Sequence, residues 1–134
     1  MEKGLTAVVV DDNKDTVRFF SEFLEIKGIT VAACGYNGKD ALDLYTSLRP
    51  DIVFMDVAMP EYDGFYGLGE IKKADRNAKV VMVTADITSS THERLQDLEA
   101  SAIIFKPFNM DKVMAIVSEL WSQDSKQEML VETG

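Results

Sequence analysis

The sequence has one cysteine and three prolines, and it contains no apolar run long enough to cross a bilayer. Cys34 alone cannot form an internal disulfide, which excludes a disulfide-stapled fold and fits a reducing compartment. The first four residues lead into only a short apolar run, so we predict neither a signal peptide nor membrane insertion. The cytoplasm is the simplest location.

Basic residues are also scarce, with 14 lysines and arginines against 23 aspartates and glutamates, a formal net charge of −9. A surface of this sign repels nucleic-acid phosphates, which argues against direct nucleic-acid binding, so the expected partners are proteins or small ions. The 134 residues are 46% hydrophobic, which is enough for one buried core. We predict one domain over residues 1–121, followed at 122–134 by a C-terminal tail or the stub of a linker.

Short apolar runs predict the strands. Four runs are too short for helices and consist mostly of β-branched or aromatic residues, at positions 7–10, 52–55, 80–83 and 102–105. A weaker fifth run covers residues 29–33. Because their hydrophobicity is nearly continuous rather than alternating, we expect a parallel sheet with helices on both faces.

Helical spacing fills the intervals between these runs. Residues 90–93, Ser-Thr-His-Glu, have the spacing of a capping box and predict a helix that ends near Ala100. Asn109 is the predicted N-cap of the last helix. Apolar residues recur along that helix at helical spacing, and they are Val113, Ile116, Val117, Leu120 and Trp121. Five alternations of strand and helix specify a doubly wound α/β fold with right-handed crossovers.

Polar residues stand at the carboxyl ends of four predicted strands. Asp11 and Asp12 follow the first strand, Asp56 the third, Thr84 the fourth and Lys106 the fifth. Sheets of this kind bind ligands beyond those ends. Three carboxylates at one edge repel one another, so we expect a divalent cation, and Mg²⁺ prefers such oxygens together with phosphate. The set indicates phosphoryl chemistry, with Asp56 as nucleophile, Lys106 neutralising charge and Thr84 donating its hydroxyl.

Each of these residues alone has an ordinary structural explanation. Asp11 or Asp12 would cap the next helix, Thr84 would be a turn hydroxyl and Lys106 a solvated amine. All five occur at equivalent strand ends, however, and this coincidence favours a functional site.

These motifs resemble those of a known family. The match runs from Val-Val-Val-Asp-Asp at 8–12 to Lys-Pro-Phe at 106–108, and it includes Asp-Val-Ala-Met-Pro at 56–60, Asp-Gly at 63–64 and Thr-Ala at 84–85. Across nearly its whole length the chain resembles the receiver domain of response regulators, the CheY-like family. The resemblance implies a flavodoxin-like (βα)5 fold with a five-stranded parallel sheet in the order 2-1-3-4-5.

The resemblance also implies a function. Asp56 would accept a phosphoryl group from a histidine kinase, a histidine phosphotransfer protein or a small donor such as acetyl phosphate. Mg²⁺, or alternatively Mn²⁺, would be bound by Asp12, Asp56 and the backbone carbonyl of Ala58, with Asp11 acting through water. The protein would promote its own phosphorylation and dephosphorylation without being a turnover enzyme, and its output would be a protein target or an output domain.

Further residue roles follow from the same resemblance. Lys106 and Thr84 would contact the phosphoryl group, and the peptide bond before Pro107 is expected to be cis. Two positions beside the acceptor are expected to tune the phosphoryl lifetime. The small Ala58 would leave room for water, and Asp86 would repel an anionic donor.

Ile103 departs from the family pattern. Family members commonly carry Tyr or Phe three residues before the lysine, where the ring moves as the hydroxyl residue turns toward the phosphoryl group. Phe105 lies nearer Lys106 and is expected on the same side of the sheet as Ile103. A degenerate receiver that acts as a phosphorylation-independent docking or dimerisation module is therefore an alternative function.

A hydrolase with an aspartate nucleophile, such as a dehalogenase-like phosphatase, is an alternative from another class. That family has an Asp-x-Asp pair at the first strand, whereas Asp11 and Asp12 are adjacent and Asp56 has no second acid two residues later. The motif spacing therefore favours the receiver.

Overall fold

The computed structural model describes residues 4–122 and 130–132. Strands and helices alternate along the chain, as the spacing of apolar residues predicts. In order they are β1 (Thr6–Val10), α1 (Lys14–Ile26), β2 (Thr30–Gly35), α2 (Gly38–Leu48), β3 (Ile52–Asp56), α3 (Gly64–Ala74), β4 (Val80–Thr84), α4 (Ser89–Asp97), β5 (Ala102–Phe105), α5 (Met110–Ser122) and β6 (Leu130–Glu132).

The described strands form one parallel sheet in the order β2-β1-β3-β4-β5-β6. Its first five members confirm the predicted order 2-1-3-4-5. The chain moves outward from β1 to β2 and then returns past β1 to β3, so the order reverses between β1 and β3. Side chains at the carboxyl ends of these two strands therefore face the crevice where such sheets bind ligands.

Alternate residues of each central strand enter two separate hydrophobic cores. Val8 and Met55 belong to the core that also contains buried residues of α2, α3 and α4. Val9 and Phe54 belong to the core that contains buried residues of α1 and α5. Because helices cover both faces, neither face of these strands needs polar residues, and this explains their continuous hydrophobicity.

The strand β6 was not predicted from the sequence. Residues 130–132 pair in parallel with β5 at the edge of the sheet, where Leu130 aligns with Ala102 and Val131 with Ile103. This strand lies inside residues 122–134, the segment that we predicted to be a tail or linker stub. Ser122 is instead the last residue of α5, and residues 123–129 and 133–134 lie outside the described residues. An uncovered β5 edge would leave backbone N–H and C=O groups unpaired, and this short apolar run satisfies some of them.

Two local predictions were wrong. Helix α4 begins at Ser89 with Thr88 as its N-cap, rather than at the predicted box starting at Ser90, because the Thr88 hydroxyl accepts a hydrogen bond from the backbone N–H of Thr91. The second concerns Trp121, which its place in the apolar spacing of α5 predicts to be part of the core. It is instead 37% exposed, and the Lys79 ammonium lies 5.4 Å from its ring centroid. Among the described residues, the helices are all too short or too polar to span a membrane.

Candidate functional site

Asp11 and Asp12 lie where β1 ends and α1 begins. The Asp11 N–H donates to the carbonyl of Gly35, 3.2 Å away, which keeps this residue beside β2. The Asp11 carboxylate accepts a 2.9 Å hydrogen bond from the Asn13 N–H, and Asn13 in turn caps α1. These two hydrogen bonds hold Asp11 in one orientation. Asp11 is buried, whereas Asp12 is exposed.

Asp56 is the last residue of β3 and is only 8% exposed. The chain turns sharply after it, and the Gly64 N–H donates to the Val57 carbonyl at 2.8 Å. A Cβ atom on Gly64 would lie 2.3 Å from the backbone oxygen of Asp56, so this close approach requires glycine. Asp11, Asp12 and Asp56 each offer one carboxylate oxygen, and these oxygens lie within 4.8 Å of one another. We call these three residues the acidic cluster.

Lys106 faces the acidic cluster from the end of β5. Its ammonium nitrogen is 3.5 Å from Asp11 Oδ2 and 3.6 Å from Asp56 Oδ1. Its backbone N–H donates to the carbonyl of Thr84 at 2.8 Å, which fixes the start of the following loop. The Lys106-Pro107 peptide bond is cis, as expected. The lysine ammonium is thus within ion-pair distance of two carboxylates of the acidic cluster.

The electrostatics of the cluster favour a cation. Burial raises the pKa of Asp56, the Lys106 ammonium lowers it, and the neighbouring Asp11 carboxylate raises it again. One ammonium therefore does not offset the burial of the carboxylate and the repulsion within the cluster. Carboxylate oxygens are the donors that Mg²⁺ prefers, and the exposed Asp12 leaves room for retained water molecules. The donor set fits a hard divalent cation.

Thr84, the last residue of β4, is 3% exposed. Its hydroxyl accepts a 2.9 Å hydrogen bond from the backbone N–H of Asp86. The Asp86 carboxylate accepts hydrogen bonds from the Thr88 N–H at 2.9 Å and from the Thr91 hydroxyl at 2.6 Å. No sequence pattern predicts that Thr91 contacts Asp86, since only the conformation of the loop brings the two side chains together.

An open groove lies beside Asp56. Ala58 and Asp86, the two positions expected to tune the phosphoryl lifetime, both line it. Phe65, which also lines the groove, lies under the Arg94 guanidinium at 4.0 Å from ring centroid to Cζ. The groove therefore lies between the loops that follow β3 and β4, next to the residues that follow Asp56.

Ile103 is fully buried, and Phe105 is partly buried against the same hydrophobic core. The expectation that both residues lie on one side of the sheet is therefore confirmed. Neither residue offers a hydroxyl group that could join the polar contacts around Thr84.

Comparisons with known proteins identify the family. The profile of the response regulator receiver domain matches residues 7–118. The chain is 31% identical to the chemotaxis protein CheY of Thermotoga maritima over 117 residues, which cover 87% of the chain and 98% of that protein. It is 38% identical to the protein CcdB of Bacillus subtilis over 113 residues, covering 84% of the chain and 94% of that protein.

Longer proteins and solved structures agree with this result. The regulatory protein AtoC of Escherichia coli is 32% identical over 91% of the chain, but the chain spans only 26% of the length of AtoC. The CheX–CheY–BeF3–Mg complex of Borrelia burgdorferi contains a chain with a TM-score of 0.83 and 27% identity, covering 87% of this chain and 89% of that chain. The described fold, the motifs at the strand ends and these relatives together show that the chain belongs to the response regulator receiver domain family.

Proposed function

We propose that this receiver domain is a working phosphoacceptor of a two-component system, in which Mg²⁺-dependent phosphorylation of Asp56 switches protein–protein contacts. One observation carries the proposal. Asp11, Asp12 and Asp56 present carboxylate oxygens within 4.8 Å of one another, and the Lys106 ammonium is 3.6 Å from Asp56. A chain that had lost phosphoryl chemistry would have no need to keep this repulsive cluster.

Asp56 acts as the nucleophile. A carboxylate oxygen attacks phosphorus, a new oxygen–phosphorus bond forms, and the bond to the leaving group breaks, so that acetate or a histidine imidazole departs with the electron pair. Burial disfavours the charged carboxylate, and the raised pKa of Asp56 reflects this. The transfer therefore also moves negative charge from a poorly solvated carboxylate onto phosphoryl oxygens.

Lys106 and the metal ligands offset that negative charge. The Lys106 ammonium, which lies between Asp11 and Asp56, can follow the charge as it moves onto the phosphoryl oxygens. Mg²⁺, or Mn²⁺ in its place, would be held by Asp12, Asp56 and the Ala58 carbonyl, with Asp11 acting through water. When bound, it would screen the carboxylates and neutralise charge on the phosphoryl group. Thr84 would donate its hydroxyl to a phosphoryl oxygen.

The groove supplies the route for donor and water. Ala58 adds little bulk there and leaves space for a water molecule, which would shorten the phosphoryl lifetime. The hydrogen bond from Thr91 lowers the pKa of Asp86, so this residue is ionised at neutral pH and would repel an anionic donor. A donor protein with a neutral or basic docking surface would be repelled less by the Asp86 charge.

The partners follow from the chemistry. The donor would be a histidine kinase, a histidine phosphotransfer protein or acetyl phosphate, and the recipient of the signal a protein target or an output domain. The domain would act in the cytoplasm as a signalling module rather than a turnover enzyme. The structure of the Borrelia relative contains BeF3 and Mg, which supports the use of beryllofluoride as a probe of this chain.

Ile103 favours a second function, that of a docking or dimerisation module without phosphorylation, because it replaces the aromatic residue common at its position. Intact mass after incubation with acetyl phosphate and Mg²⁺ separates the two functions. We expect one added phosphoryl group in the unsubstituted protein and in Asp15→Asn, whose side chain is 81% exposed on α1. We expect none in Asp56→Asn or with EDTA. No added mass together with no beryllofluoride binding would favour the docking module.

A further inference from the structure

Strand β6 is attached to the sheet by a short stretch of backbone. Among the strands that the structure describes, it pairs with β5 alone, and its three residues, 130–132, align with residues 102–104. A strand of this length makes few hydrogen bonds, and each contributes only about 0.5–1.5 kcal/mol. The pairing of β5 with β6 can therefore open without disturbing β1 and β3, which carry the acidic cluster at the other side of the sheet.

The route by which the chain reaches β6 is unusual. Helices α2, α3 and α4 pack on one face of the sheet, and α1 and α5 pack on the other. The chain moves toward one edge through α1 and toward the opposite edge through α2, α3 and α4, so these four connections have the same, right-handed sense. The connection from β5 to β6 continues toward that opposite edge, but it passes through α5 on the face of α1. It is therefore a left-handed crossover, the hand found in only about 2% of such connections.

The left-handed crossover is unfavourable, whereas the strand pairing that it serves is not. A twisted strand followed by a right-handed helix returns to the same sheet favourably only in the right-handed sense. The parallel pairing of β6 with β5 has no such restriction. If a second copy of the chain supplies β6, the pairing is kept and the left-handed return within one chain is avoided. Exchange of an identical element between copies is a low-cost route to a dimer for this reason.

The segment between α5 and β6 is long enough for this exchange. Helix α5 ends at Ser122 and β6 begins at Leu130, so seven residues lie between them. Seven residues span at most about 25 Å. Neighbouring strands of a sheet are about 4.8 Å apart, so this reach covers several strand spacings and extends to the β5 edge of an adjoining copy.

We propose that the chain forms a dimer by exchange of β6, in which the β5 edge of each copy pairs in parallel with residues 130–132 of the other. The partner is thus a second copy of this chain. The inference goes beyond the proposed function and does not depend on it, because the β5 edge pairs through backbone groups, without the acidic cluster or a phosphoryl group. Exchange is compatible with a phosphoacceptor and with a docking module.

Val131 is the residue of β6 at which the pairing is best tested. The Ser101 N–H donates to the Val80 carbonyl at 2.9 Å, on the side of β4. Backbone groups alternate in direction along a strand, so those of Ala102 and Ile104 point toward β6, where Val131 lies opposite the residue between them. Val131→Pro therefore removes an N–H group that β6 donates to β5.

Sedimentation equilibrium without Mg²⁺ or a phosphodonor tests the dimer. High ionic strength screens the repulsion between copies that each carry a net charge of −9. We expect the mass of two chains for the unsubstituted protein and for Val131→Ile, which keeps the backbone N–H. Val131→Pro should weaken each exchanged strand by roughly tenfold, and the dimer by about a hundredfold, because two strands are exchanged. A monomeric unsubstituted protein at the highest soluble concentration, or equal affinity in Val131→Pro, would overturn the inference.

Isotope-filtered NMR of the unsubstituted protein separates exchange of β6 from any other mode of dimerisation. Chains labelled with ¹⁵N and chains labelled with ¹³C are unfolded together and refolded as an equal mixture. We predict a nuclear Overhauser effect between the ¹⁵N-bound proton of Val131 and ¹³C-bound protons of residues 102–104, which arises only when the two residues belong to different chains. A dimer without this signal would contradict the exchange. Phosphorylation enters neither experiment, so the intact-mass test of Asp56 and these tests succeed or fail independently.

Discussion

Helices α3 and α4 each follow a strand that ends at the site, but they are fixed to the sheet in different ways. Helix α3 begins with Gly64 against the backbone of Asp56 and continues with Gly67, where a Cβ atom would lie 2.7 Å from Met55 Sδ. Helix α4 is attached through the Asp86–Thr91 hydrogen bond and the buried Leu95. Close backbone contact cannot adjust without disrupting the fold, whereas a hydrogen bond can open and close. The difference suggests that α3 forms a rigid side, which holds Asp56 in place, and that α4 forms a responsive side, whose position can change when Asp56 is phosphorylated.

The largest expected effect comes from adding a methyl group on the rigid side. In Gly64→Ala the new Cβ would meet backbone atoms of Asp56 and Val57 at 2.3 and 2.7 Å, so we expect a loss of about 3 kcal/mol or more in the free energy of unfolding. Gly69→Ala, also in α3, would meet only Leu98 Cδ2 at 3.5 Å and should stabilise by about 0.5–1 kcal/mol. Urea unfolding measures both, and equal effects would contradict the rigid-side account.

The hydrogen bond between Tyr45 and Asp75 joins α2 to the end of α3 and gives the next largest effect. The two oxygens are 2.6 Å apart, so Tyr45→Phe should cost about 1–2 kcal/mol. Tyr66→Phe serves as a control, since Tyr66 is 38% exposed, and should change stability by less than about 0.5 kcal/mol.

The same tyrosine predicts a pH dependence. Burial, followed by the hydrogen bond and charge of Asp75, raises the pKa of Tyr45 to about 12. Because the folded-state pKa lies above the ordinary tyrosine value of about 10, this stabilisation is complete below pH 10 and is lost as the pH rises toward 12. The difference in stability between the unsubstituted protein and Tyr45→Phe should therefore shrink over that interval. A constant difference would show that the hydroxyl does not remain protonated in the fold.

A substitution of Asp56 is expected to have a smaller effect on the free energy of unfolding, and one of opposite sign. Burial raises the pKa of Asp56, which means that its ionised form destabilises the metal-free fold. Asp56→Asn should therefore increase the free energy of unfolding by roughly 1 kcal/mol in EDTA, while Asp15→Asn should have almost no effect. Added Mg²⁺ should stabilise the unsubstituted protein more than Asp56→Asn, and thermal unfolding with and without Mg²⁺ measures this difference.

The smallest effect concerns the contact that bridges the two regions. The Arg94 guanidinium of α4 lies 4.0 Å from the ring centroid of Phe65 in α3. Arg94 is exposed, so Arg94→Ala should cost only about 0.5 kcal/mol, and its exposed neighbour Glu93→Ala should cost less. A cost above about 2 kcal/mol would mean that α4 is fixed to α3 and would weaken the contrast between the helices.

The sequence predicted most of the fold because the central strands are buried on both faces. Such strands appear as continuous apolar runs whose ends are easy to locate, and the polar residues after them fall at one edge of a parallel sheet. Asp56 and Lys106 could therefore be assigned to one site from their positions alone. The strand β6 could not be predicted in this way. Its three residues are placed by pairing with the edge of β5, and they are too few to form an apolar pattern of their own.

Contacts that depend on loop conformation were beyond sequence reasoning. Asp86 and Thr91 are five residues apart, and only the turn after β4 brings their side chains to 2.6 Å. The loop also places the Thr88 hydroxyl where it accepts a hydrogen bond from the Thr91 N–H, and for this reason Thr88, rather than Ser90, caps α4. The close backbone contact that requires Gly64 likewise arises only in the assembled fold.

Hydrogen exchange across the whole unsubstituted protein, with and without beryllofluoride and Mg²⁺, tests the contrast between the two helices most directly. We predict that exchange in the first turn of α4 becomes about tenfold faster, as expected for one lost charge-assisted hydrogen bond, while exchange in α3 stays constant or becomes slower. Faster exchange in α3 with an unchanged α4, at saturating beryllofluoride, would contradict the account.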